Sequence, residues 1–424
     1  MKLEGKRRLI GKIKIPGDKS ISHRSVILGS LAKGRSEIRN ILESHDILNT
    51  INIFKSLGVN IFKEDKKLII EGRGLDGLKA PTKVLDCGNS GTSLRLLAGL
   101  LSGQNFKSLL SGDKSLNNRP MKRILDPLSE MGANIKSLEY KAPLTIEAVE
   151  KLTSIDYTLP VASAQVKSSI LLASLYTQGS TTIYESRPTR NHTEIMLEFF
   201  GADIDYDQNK TTINNPNYLQ GQKLYVPGDI SSAAYFIVGA LIMEGSDIVI
   251  EDVGLNPTRR GIIDVLREMG GRIEIKNIKE KNNELLGDIR VKSSKLNSIY
   301  IHENLTANLI DEIPILAIAA SNAKGKTVIN GVEELRHKET DRLAAISNEL
   351  NNMGGNVDST EKDLVIYGVD HFQGTRLKSY GDHRIAMTLS IAALNTVGES
   401  LIKDTRCVKV SYPNFYEDLF SLIH

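Results

Sequence analysis

Residues Pro16 to Arg24 read Pro-Gly-Asp-Lys-Ser-Ile-Ser-His-Arg, and the types and spacing of these residues suit the binding of an anion. A glycine turn and an aspartate cap precede Lys19, and apolar residues at helical spacing follow it, which predicts a helix start. Ser20 and Arg24 then lie one turn apart. Free backbone N–H groups and partial positive charge at a helix N-terminus favour a phosphate or carboxylate, and the hydroxyl and guanidinium groups add to that preference. A capped surface helix with two solvated cations fits the same residues.

A second glycine-bearing loop reads Asp-Cys-Gly-Asn-Ser-Gly-Thr-Ser-Leu-Arg from Asp86 to Arg95 and leads into apolar residues at helical spacing. Gly91 leaves the backbone open to close approach, and Asn89 and Thr92 can contact an oxyanion. The loop is neither a Walker motif nor a dinucleotide fingerprint, because the required lysine and glycine spacings are absent. A plain capped core helix is the alternative interpretation.

Two further segments place an arginine at a predicted helix start. Arg119 stands just before Pro120, a residue suited to the first helical position. Asp-His-Arg at Asp382 to Arg384 follows a glycine and precedes an apolar helix, which repeats the arrangement of the first segment. Each arginine is a candidate anion ligand, and a solvated arginine is the alternative for Arg119.

The segment Lys-Glu-Thr-Asp-Arg at Lys338 to Arg342 places two cations four residues apart, on what we predict to be a single helix. Cations at that spacing repel each other by a few tenths of a kcal/mol. Glu339 and Asp341 can relieve the repulsion as a solvated charged face, and a shared anionic ligand can relieve it as well.

Two polar segments precede apolar helices without contributing an arginine. Ser163-Ala164-Gln165 offers small hydroxyl and amide groups, which suit a polyhydroxylated ligand. Asp311 and Glu312 are paired carboxylates at the start of another helix. A role for Asp311 as a base needs a substrate hydroxyl within reach, whereas capping of the helix is the structural alternative.

Repeated glycines indicate the architecture. A helix that ends in glycine and leads into a strand occurs five times, with glycines 74, 69, 69 and 84 residues apart, at Gly58, Gly132, Gly201, Gly270 and Gly354. Each stands where a helix C-terminus favours a left-handed residue. The Pro-Gly-Asp turn at Pro16 recurs at Pro227, displaced by 211 residues. We predict a mixed α/β protein with two domains of three repeated units each, residues 1–18 plus 230–424 and residues 19–229.

Composition restricts the class of protein. The 424 residues carry 54 basic and 51 acidic side chains, a net charge of +3 without a basic block, so bulk attraction to nucleic acid is not indicated. Cys87 and Cys407 are the only cysteines, which argues against a disulfide framework and a zinc site. No apolar signal region or membrane-length stretch is present in the sequence, so we expect a soluble cytoplasmic protein.

With these motifs in this order, the sequence resembles the EPSP synthase (3-phosphoshikimate 1-carboxyvinyltransferase) family over essentially its full length. The shared signatures are Lys-Ser-x-Ser-x-Arg, Gly-Asn-x-Gly-Thr, Arg-Pro, Lys-Glu-Thr-Asp-Arg and Asp-His-Arg-x-Ala-Met. The resemblance implies an inverse α/β barrel fold, in which each of two domains contains three βαβαββ units. It also implies a substrate cleft and a two-strand hinge between the domains.

The resemblance implies transfer of the enolpyruvyl group of phosphoenolpyruvate to the 5-hydroxyl of shikimate 3-phosphate, with loss of phosphate. It implies no cofactor, no metal, only small-molecule partners and a monomer. By resemblance, shikimate 3-phosphate is bound by Lys19, Ser20, Arg24, Ser163, Gln165, Arg190, Asp311 and Lys338. By resemblance, phosphoenolpyruvate is bound by Lys19, Gly91, Arg119, Gln165, Arg342 and Arg384. Asp311 is the candidate to accept the hydroxyl proton, and Glu339 and Lys19 are the candidates to transfer the proton of the methylene carbon.

Some residues depart from the family pattern. Ala164 stands where many members have a second serine, so any ligand contact there comes from the backbone. Val410 stands where several members have a lysine, and the side chain of Lys409 would face the other way in a strand. The Ser-Ala-Gln variant resembles members that tolerate the inhibitor glyphosate, whereas Gly91 keeps space that alanine fills in some tolerant members, so sensitivity stays open.

Two other functions were considered. UDP-N-acetylglucosamine enolpyruvyl transferases share the fold and use phosphoenolpyruvate, but they usually carry a cysteine near the third motif, where Ser111 to Met121 has none. A non-catalytic polyanion-binding protein would need clustered surface charge and aromatic stacking residues, and tryptophan is absent.

Overall fold

The structure is a computed structural model that describes residues 1–215, 218–306 and 308–424. Short strands predominate in it. The strands are β1 Lys2–Glu4, β2 Ile10–Ile13, β3 Ala32–Arg39, β4 Asn60–Glu64, β5 Lys67–Arg73, β6 Leu85–Asp86, β7 Ser108–Ser111, β8 Ile135–Leu138, β9 Lys141–Ile146, β10 Leu152–Thr153, β11 Asp156–Thr158, β12 Thr177–Gln178, β13 Ser180–Tyr184, β14 Ile204–Tyr206, β15 Lys210–Asn214, β16 Leu219–Gln220, β17 Lys223–Tyr225, β18 Asp247–Gly254, β19 Arg272–Lys281, β20 Glu284–Lys292, β21 Leu296–Asn297, β22 Tyr300–Ile301, β23 Ala323–Lys324, β24 Lys326–Asn330, β25 Asn356–Ser359, β26 Asp363–Tyr367, β27 Phe372–Gln373, β28 Arg376–Lys378, β29 Thr396–Val397 and β30 Glu399–Lys403.

Helices alternate with these strands, which makes the fold mixed α/β. The helices are α1 Lys19–Leu31, α2 His45–Ser56, α3 Gly91–Ser102, α4 Lys114–Asn117, α5 Lys122–Glu130, α6 Ala164–Ser174, α7 His192–Phe199, α8 Ile230–Ile242, α9 Gly261–Glu268, α10 Glu303–Thr306, α11 Ile313–Ser321, α12 Arg342–Asn352, α13 His383–Ala393 and α14 Phe415–Leu422. Two 3-10 segments cover Glu333–His337 and Thr405–Val410.

The chain divides into two compact units. Unit 1 comprises Met1–Pro16, Pro227–Glu280 and Glu284–His424, and unit 2 comprises Gly17–Val226 and Lys281–Asn283. Each unit has its own hydrophobic core, built largely from the apolar faces of its helices. Each is therefore large enough to hold a helix N-terminus rigidly in place.

One strand order recurs among the described sheets. In the orders β11-β13-β15-β14, β22-β24-β26-β25 and β6-β7-β9-β8, the first two strands are parallel and the remaining neighbours are antiparallel. The β3 sheet has the same order with β17 as its first strand, although β17 comes last in unit 2. The β18 sheet has the same strand order, with β2 as its first strand. In both cases the parallel partner comes from a distant part of the chain.

The recurrent glycines have the conformation that their position in the sequence predicts. All five have φ between 83° and 95°, a left-handed conformation that a residue with a side chain rarely adopts. These residues are Gly58, Gly132, Gly201, Gly270 and Gly354. Each therefore ends its helix and turns the chain into the next strand.

The two Pro-Gly-Asp turns start two helices of equal length. Asp18 accepts a hydrogen bond from the backbone N–H of Ile21 at 2.8 Å at the start of α1, and Asp229 accepts one from Ser231 at 2.9 Å at the start of α8. Both helices contain 13 residues. In both turns an aspartate side chain therefore caps the helix by accepting from a first-turn N–H group.

Candidate active site

Lys19 is the first residue of α1, where the sequence predicts an anion site. Its ammonium forms an ion pair with Asp46, a buried residue in the first turn of α2, while the lysine side chain stays 23% exposed. The remaining exposure leaves the ammonium accessible to a second anion. Ser20 follows in the same turn, and its carbonyl accepts a hydrogen bond from Arg24 at 3.1 Å.

The guanidinium of Arg24 is 5% exposed and is held on two sides by hydroxyl groups. Its Nε donates to Thr193 Oγ1 at 2.6 Å, and its Nη2 donates to Ser168 Oγ at 2.7 Å. Those two hydroxyl oxygens are 2.6 Å apart. These contacts fix the orientation of the guanidinium of Arg24, a group suited to contact with a phosphate or carboxylate.

Gly91 is the first residue of α3 and lies beside two guanidinium groups. A methyl group at its Cα would lie 3.0 Å from Nη1 of Arg95 and 3.2 Å from Nη1 of Arg119. Arg95 donates to Oε1 of Gln165 at 2.5 Å, and Nε2 of Gln165 donates to Thr92 at 3.0 Å. A helix N-terminus, two arginines and an amide thus converge, which is an arrangement suited to a phosphate or carboxylate.

The side chain of Asn89 holds Arg119 in that arrangement. Its Oδ1 accepts from Nη2 of Arg119 at 3.2 Å, and its Nδ2 donates to Asp113 at 2.7 Å. Asp113 in turn caps α4 by accepting from the N–H of Leu116 at 2.8 Å. Asn89 therefore positions Arg119. The sequence suggests a second role for Asn89, a direct contact with an anion.

A buried chain of hydrogen bonds links the starts of α1, α2 and α3. His23 Nδ1 lies 2.9 Å from Thr50 Oγ1, which lies 2.9 Å from Ser93 Oγ, and Ser93 donates to Ser90 at 2.8 Å. Ser90 caps α3 just before Gly91. Burial, and then the charge of nearby Lys19, lower the pKa of His23 to about 3, so its imidazole is neutral at working pH.

The remaining predicted residues of unit 2 lie on neighbouring elements. Ser163 is the residue just before α6 and its side chain makes no cap hydrogen bond, and Gln165 is in the first turn of that helix. Arg190 is half-buried in the loop that precedes α7. Lys19, Ser20, Arg24 and Arg190 thus lie on or beside the elements that hold Gly91, Arg119 and Gln165, all within one unit.

In unit 1 the carboxylate of Asp311 faces three cations. Its Oδ1 lies 3.5 Å from Lys338 Nζ and 3.6 Å from Arg342 Nη1, and its Oδ2 lies 3.6 Å from Arg384 Nη2. Arg384 also donates to the backbone carbonyl of Asp311 at 3.0 Å. The predicted residues of this unit are therefore brought together around one carboxylate.

Arg342 is 1% exposed and is held by acidic side chains. Its Nε donates to Asp382 at 2.8 Å, and its Nη2 donates to Glu339 at 2.6 Å. Burial opposes the charge of the guanidinium, but the attraction of Asp382 and Glu339 outweighs it and raises the pKa of Arg342. Burial also opposes the charge of Arg384, but the attraction of Asp311 outweighs it and raises the pKa of Arg384. Both arginines stay charged in a buried environment.

Several local predictions were wrong. Lys338 and Arg342 do not share a helix, because Lys338 has an extended backbone after the 3-10 segment Glu333–His337 and α12 begins at Arg342. Their shared anion is Asp311 of the chain itself.

Helix starts were also misplaced. Pro120 is not the first helical residue, since α5 begins at Lys122 and the N–H of Met121 is occupied by the carbonyl of Tyr140 at 2.8 Å. Asp311 does not cap α11, which begins at Ile313 with Glu312 before it. Lys409 lies in the 3-10 segment and not in a strand.

Sequence reasoning missed several residues of the site. Arg95 was signalled only by its position one turn after Gly91. Asp46 and Thr50 are distant in sequence from Lys19 and His23, which they contact, so no local pattern identifies them, and the contact of Asp382 with Arg342 was missed for the same reason. Their roles depend on tertiary packing.

Within residues 1–215, 218–306 and 308–424, no cluster of three or more His, Cys, Asp or Glu side chains could hold a metal ion. No helix in this part of the chain is both long enough and apolar enough to cross a membrane.

Comparison with known proteins places these features in a family. The family model of EPSP synthase (3-phosphoshikimate 1-carboxyvinyltransferase) matches residues 3–419. A 3-phosphoshikimate 1-carboxyvinyltransferase of Thermoanaerobacter sp. (strain X514) is 50% identical over 418 residues, and one of Oceanobacillus iheyensis is 49% identical over 417. The alignments cover 98% of this chain and 98% and 97% of these relatives.

Solved structures agree with the family model. The EPSP synthase of Acinetobacter baumannii superposes with a TM-score of 0.89 at 43% identity, over 100% of this chain and 98% of that chain. The enolpyruvyl transferase NikO of Streptomyces tendae superposes with a TM-score of 0.81 at 20% identity, which bears on the fold alone. The chain therefore belongs to the EPSP synthase family.

Proposed function

We propose that the protein transfers the enolpyruvyl group of phosphoenolpyruvate to the 5-hydroxyl of shikimate 3-phosphate, a step of the shikimate pathway that leads to aromatic amino acids. The products are 5-enolpyruvylshikimate 3-phosphate and phosphate. Family membership over residues 3–419 is the observation that carries this proposal. The two cation clusters fit it, because both substrates carry a phosphate and a carboxylate.

The residues of unit 2 suit the phosphate and carboxylate groups. We assign Lys19, Ser20, Arg24, Ser163, Gln165 and Arg190 to shikimate 3-phosphate, together with Asp311 and Lys338 of unit 1. We assign Lys19, Gly91, Arg119 and Gln165 to phosphoenolpyruvate, together with Arg342 and Arg384 of unit 1. The support is the convergence of Arg95, Arg119 and Gln165 on the start of α3 and the hydroxyl-held guanidinium of Arg24.

The proton transfers are assigned to charged groups of the same clusters. The 5-hydroxyl attacks C2 of phosphoenolpyruvate and gives its proton to Asp311, while C3 gains a proton from Lys19 or Glu339 to form a tetrahedral intermediate. Loss of a proton from C3 then expels phosphate from C2. Three cations 3.5 to 3.6 Å from Asp311 support this assignment, because positive charge favours the binding of carboxylates and phosphates beside the proposed base.

The fold proposal extends the mixed α/β assignment. We propose that each of two domains, residues 1–18 plus 230–424 and residues 19–229, contains three βαβαββ repeats arranged as an inverse α/β barrel; the division into two compact units supports this proposal. The recurrent strand order and the use of β2 and β17 as distant first strands support the repeat. We also propose that the enzyme is a cytoplasmic monomer without a cofactor.

The test measures phosphate released from phosphoenolpyruvate, with and without shikimate 3-phosphate, for the wild type, Lys19→Met and Lys107→Met. Lys107 is a matched control, since its side chain is 64% exposed and pairs with Glu147. We expect release that needs shikimate 3-phosphate, a loss of at least about 100-fold in Lys19→Met and none in Lys107→Met.

Absence of phosphate with shikimate 3-phosphate would contradict the proposal. Release that requires a UDP-amino sugar instead would retain the enolpyruvyl transfer and change the acceptor. Steep salt-dependent binding of RNA without phosphate release would favour a polyanion-binding protein.

A further inference from the structure

Unit 2 contains a buried cluster of one lysine and two glutamate side chains that the proposed reaction does not use. Lys167 Nζ lies 2.5 Å from Glu185 Oε2 and 2.6 Å from Glu194 Oε1. All three side chains are at most 3% exposed. Burying such charges costs several kcal/mol per ion before pairing recovers it, so stability alone is a weak explanation for the cluster.

The ion pair between Lys167 and Glu194 lies next to the clamp that holds Arg24. Lys167 precedes Ser168 on α6, and Glu194 follows Thr193 on α7. Ser168 and Thr193 are the two hydroxyl residues that accept from the guanidinium. The ion pair thus ties together the same two helical turns that supply the clamp, one residue away on each helix.

The other carboxylate of the cluster connects Lys167 to the loop that carries Arg190. Thr189 donates from its hydroxyl to Glu185 Oε1 at 2.5 Å, and Arg190 is the next residue. Glu185 follows the end of β13. Lys167 is therefore the common partner of two carboxylates, each of which is fixed beside one of the two arginines assigned to shikimate 3-phosphate.

The charges of the cluster add to this connection. Two carboxyl groups share one ammonium in a buried location, next to two elements that carry guanidinium groups. Burial raises the pKa of Glu185 despite the attraction of Lys167, so without the lysine this carboxyl group would take up a proton more readily and would lose the ion pair that connects it to α6.

We propose that Lys167 is a positioning residue for shikimate 3-phosphate, which sets Arg24 through Glu194 and Arg190 through Glu185 without touching the substrate. This inference rests on the proposed function. Gln165 also lies on α6, but its amide is held separately by Arg95 and Thr92. The recognition of phosphoenolpyruvate is therefore expected to depend less on the cluster.

The experiment compares wild type, Lys167→Met, Lys167→Arg and Leu172→Ala. Leu172 lies on α6, is 1% exposed and belongs to the hydrophobic core, so its truncation destabilises the same helix without touching the cluster. The dissociation constant of shikimate 3-phosphate is measured by titration calorimetry, and KM is measured for both substrates. Thermal unfolding reports the stability of each variant.

We expect Lys167→Met to weaken shikimate 3-phosphate binding by about tenfold or more, since small displacements of positioned groups cost up to about 100-fold. KM for phosphoenolpyruvate should change by less than about twofold, and Lys167→Arg should recover part of the binding. Leu172→Ala should lower the unfolding temperature and leave the dissociation constant unchanged.

If Lys167 has only a structural role, Lys167→Met lowers the unfolding temperature and leaves substrate binding unchanged. That result would overturn the inference, and so would equal effects on the two substrates. If Lys167→Met does not fold, Glu194→Gln takes its place and should weaken shikimate 3-phosphate binding selectively; normal binding would again refute the role. Wild-type protein that neither binds shikimate 3-phosphate nor releases phosphate would instead refute the proposed function.

Discussion

Replacing Gly91 by alanine should weaken the use of phosphoenolpyruvate without harming the fold. The added methyl group would lie 3.0 Å from a terminal nitrogen of Arg95 and 3.2 Å from one of Arg119, closer than ordinary contact. Both neighbours are ends of flexible side chains, so each can retreat by a few tenths of an ångström. The retreat strains the hydrogen bond of Arg95 to Gln165 and that of Arg119 to Asn89.

The magnitude follows from those hydrogen bonds. A hydrogen bond to a charged group contributes about 1.5 to 3 kcal/mol, and partial loss of one or both corresponds to about 1 to 2 kcal/mol of binding free energy. That loss raises KM for phosphoenolpyruvate by about 5- to 30-fold. In the unfolded chain, alanine has less conformational freedom than glycine, which stabilises the folded state by about 0.4 to 1 kcal/mol at a compatible helical position.

Phosphate release at saturating shikimate 3-phosphate and varied phosphoenolpyruvate measures the effect, and urea unfolding measures the stability. Gly261→Ala is the matched control, because Gly261 also begins a helix and its added methyl group would meet Leu309 at an ordinary 3.4 Å. An unchanged KM in Gly91→Ala, or a loss of stability beyond that of the control, would refute the reasoning.

Three other variants test the buried contacts. Arg342→Met removes the cation that contacts the buried carboxylate of Asp382 and the partly exposed carboxylate of Glu339, and it should lower the free energy of unfolding by about 3 to 5 kcal/mol; an unchanged urea midpoint would contradict this. Because the pKa of His23 is lowered from 6.5 to about 3, the unfolded chain takes up a proton first, and stability is lost as pH falls through this window. The free energy of unfolding falls by about 2 kcal/mol between about pH 7.5 and about pH 5. His23→Asn should abolish that part of the pH dependence of the urea midpoint, and an equally steep loss in the variant would exclude His23 as its source. Thr50→Val should raise KM for phosphoenolpyruvate, whereas Thr181→Val, which removes an equally buried hydroxyl elsewhere, should not; equal effects would exclude a role for the chain of hydrogen bonds.

Local patterns predicted the helix starts where one residue determines the geometry. The aspartate before Lys19 caps α1 because its side chain reaches an N–H three residues on, which depends on the local sequence alone. The five recurrent glycines are left-handed for the same kind of local reason. Leu343, Ile346 and Leu350 are buried as their helical spacing predicts.

Predictions failed where a tertiary contact competes with local propensity. The segment at Lys338 has the composition of a helix, but its backbone is extended and its ammonium reaches Asp311, 27 residues earlier. Asp46 could not be assigned to Lys19, nor Asp382 to Arg342, because each pair depends on how two helices pack. The sequence thus predicted most cations of the candidate site and few of the groups that hold them.

The two Pro-Gly-Asp turns allow a comparison, within one chain, between a helix start that carries cations and one that does not. A shift of 211 residues aligns Lys19 with Ile230 and Arg24 with Tyr235, both of which are 2% exposed in α8. The second copy therefore keeps the capped helix but presents no cation in its first two turns. The same capped backbone therefore occurs twice, and the side chains at these two positions determine whether it carries two cations or only uncharged, buried side chains.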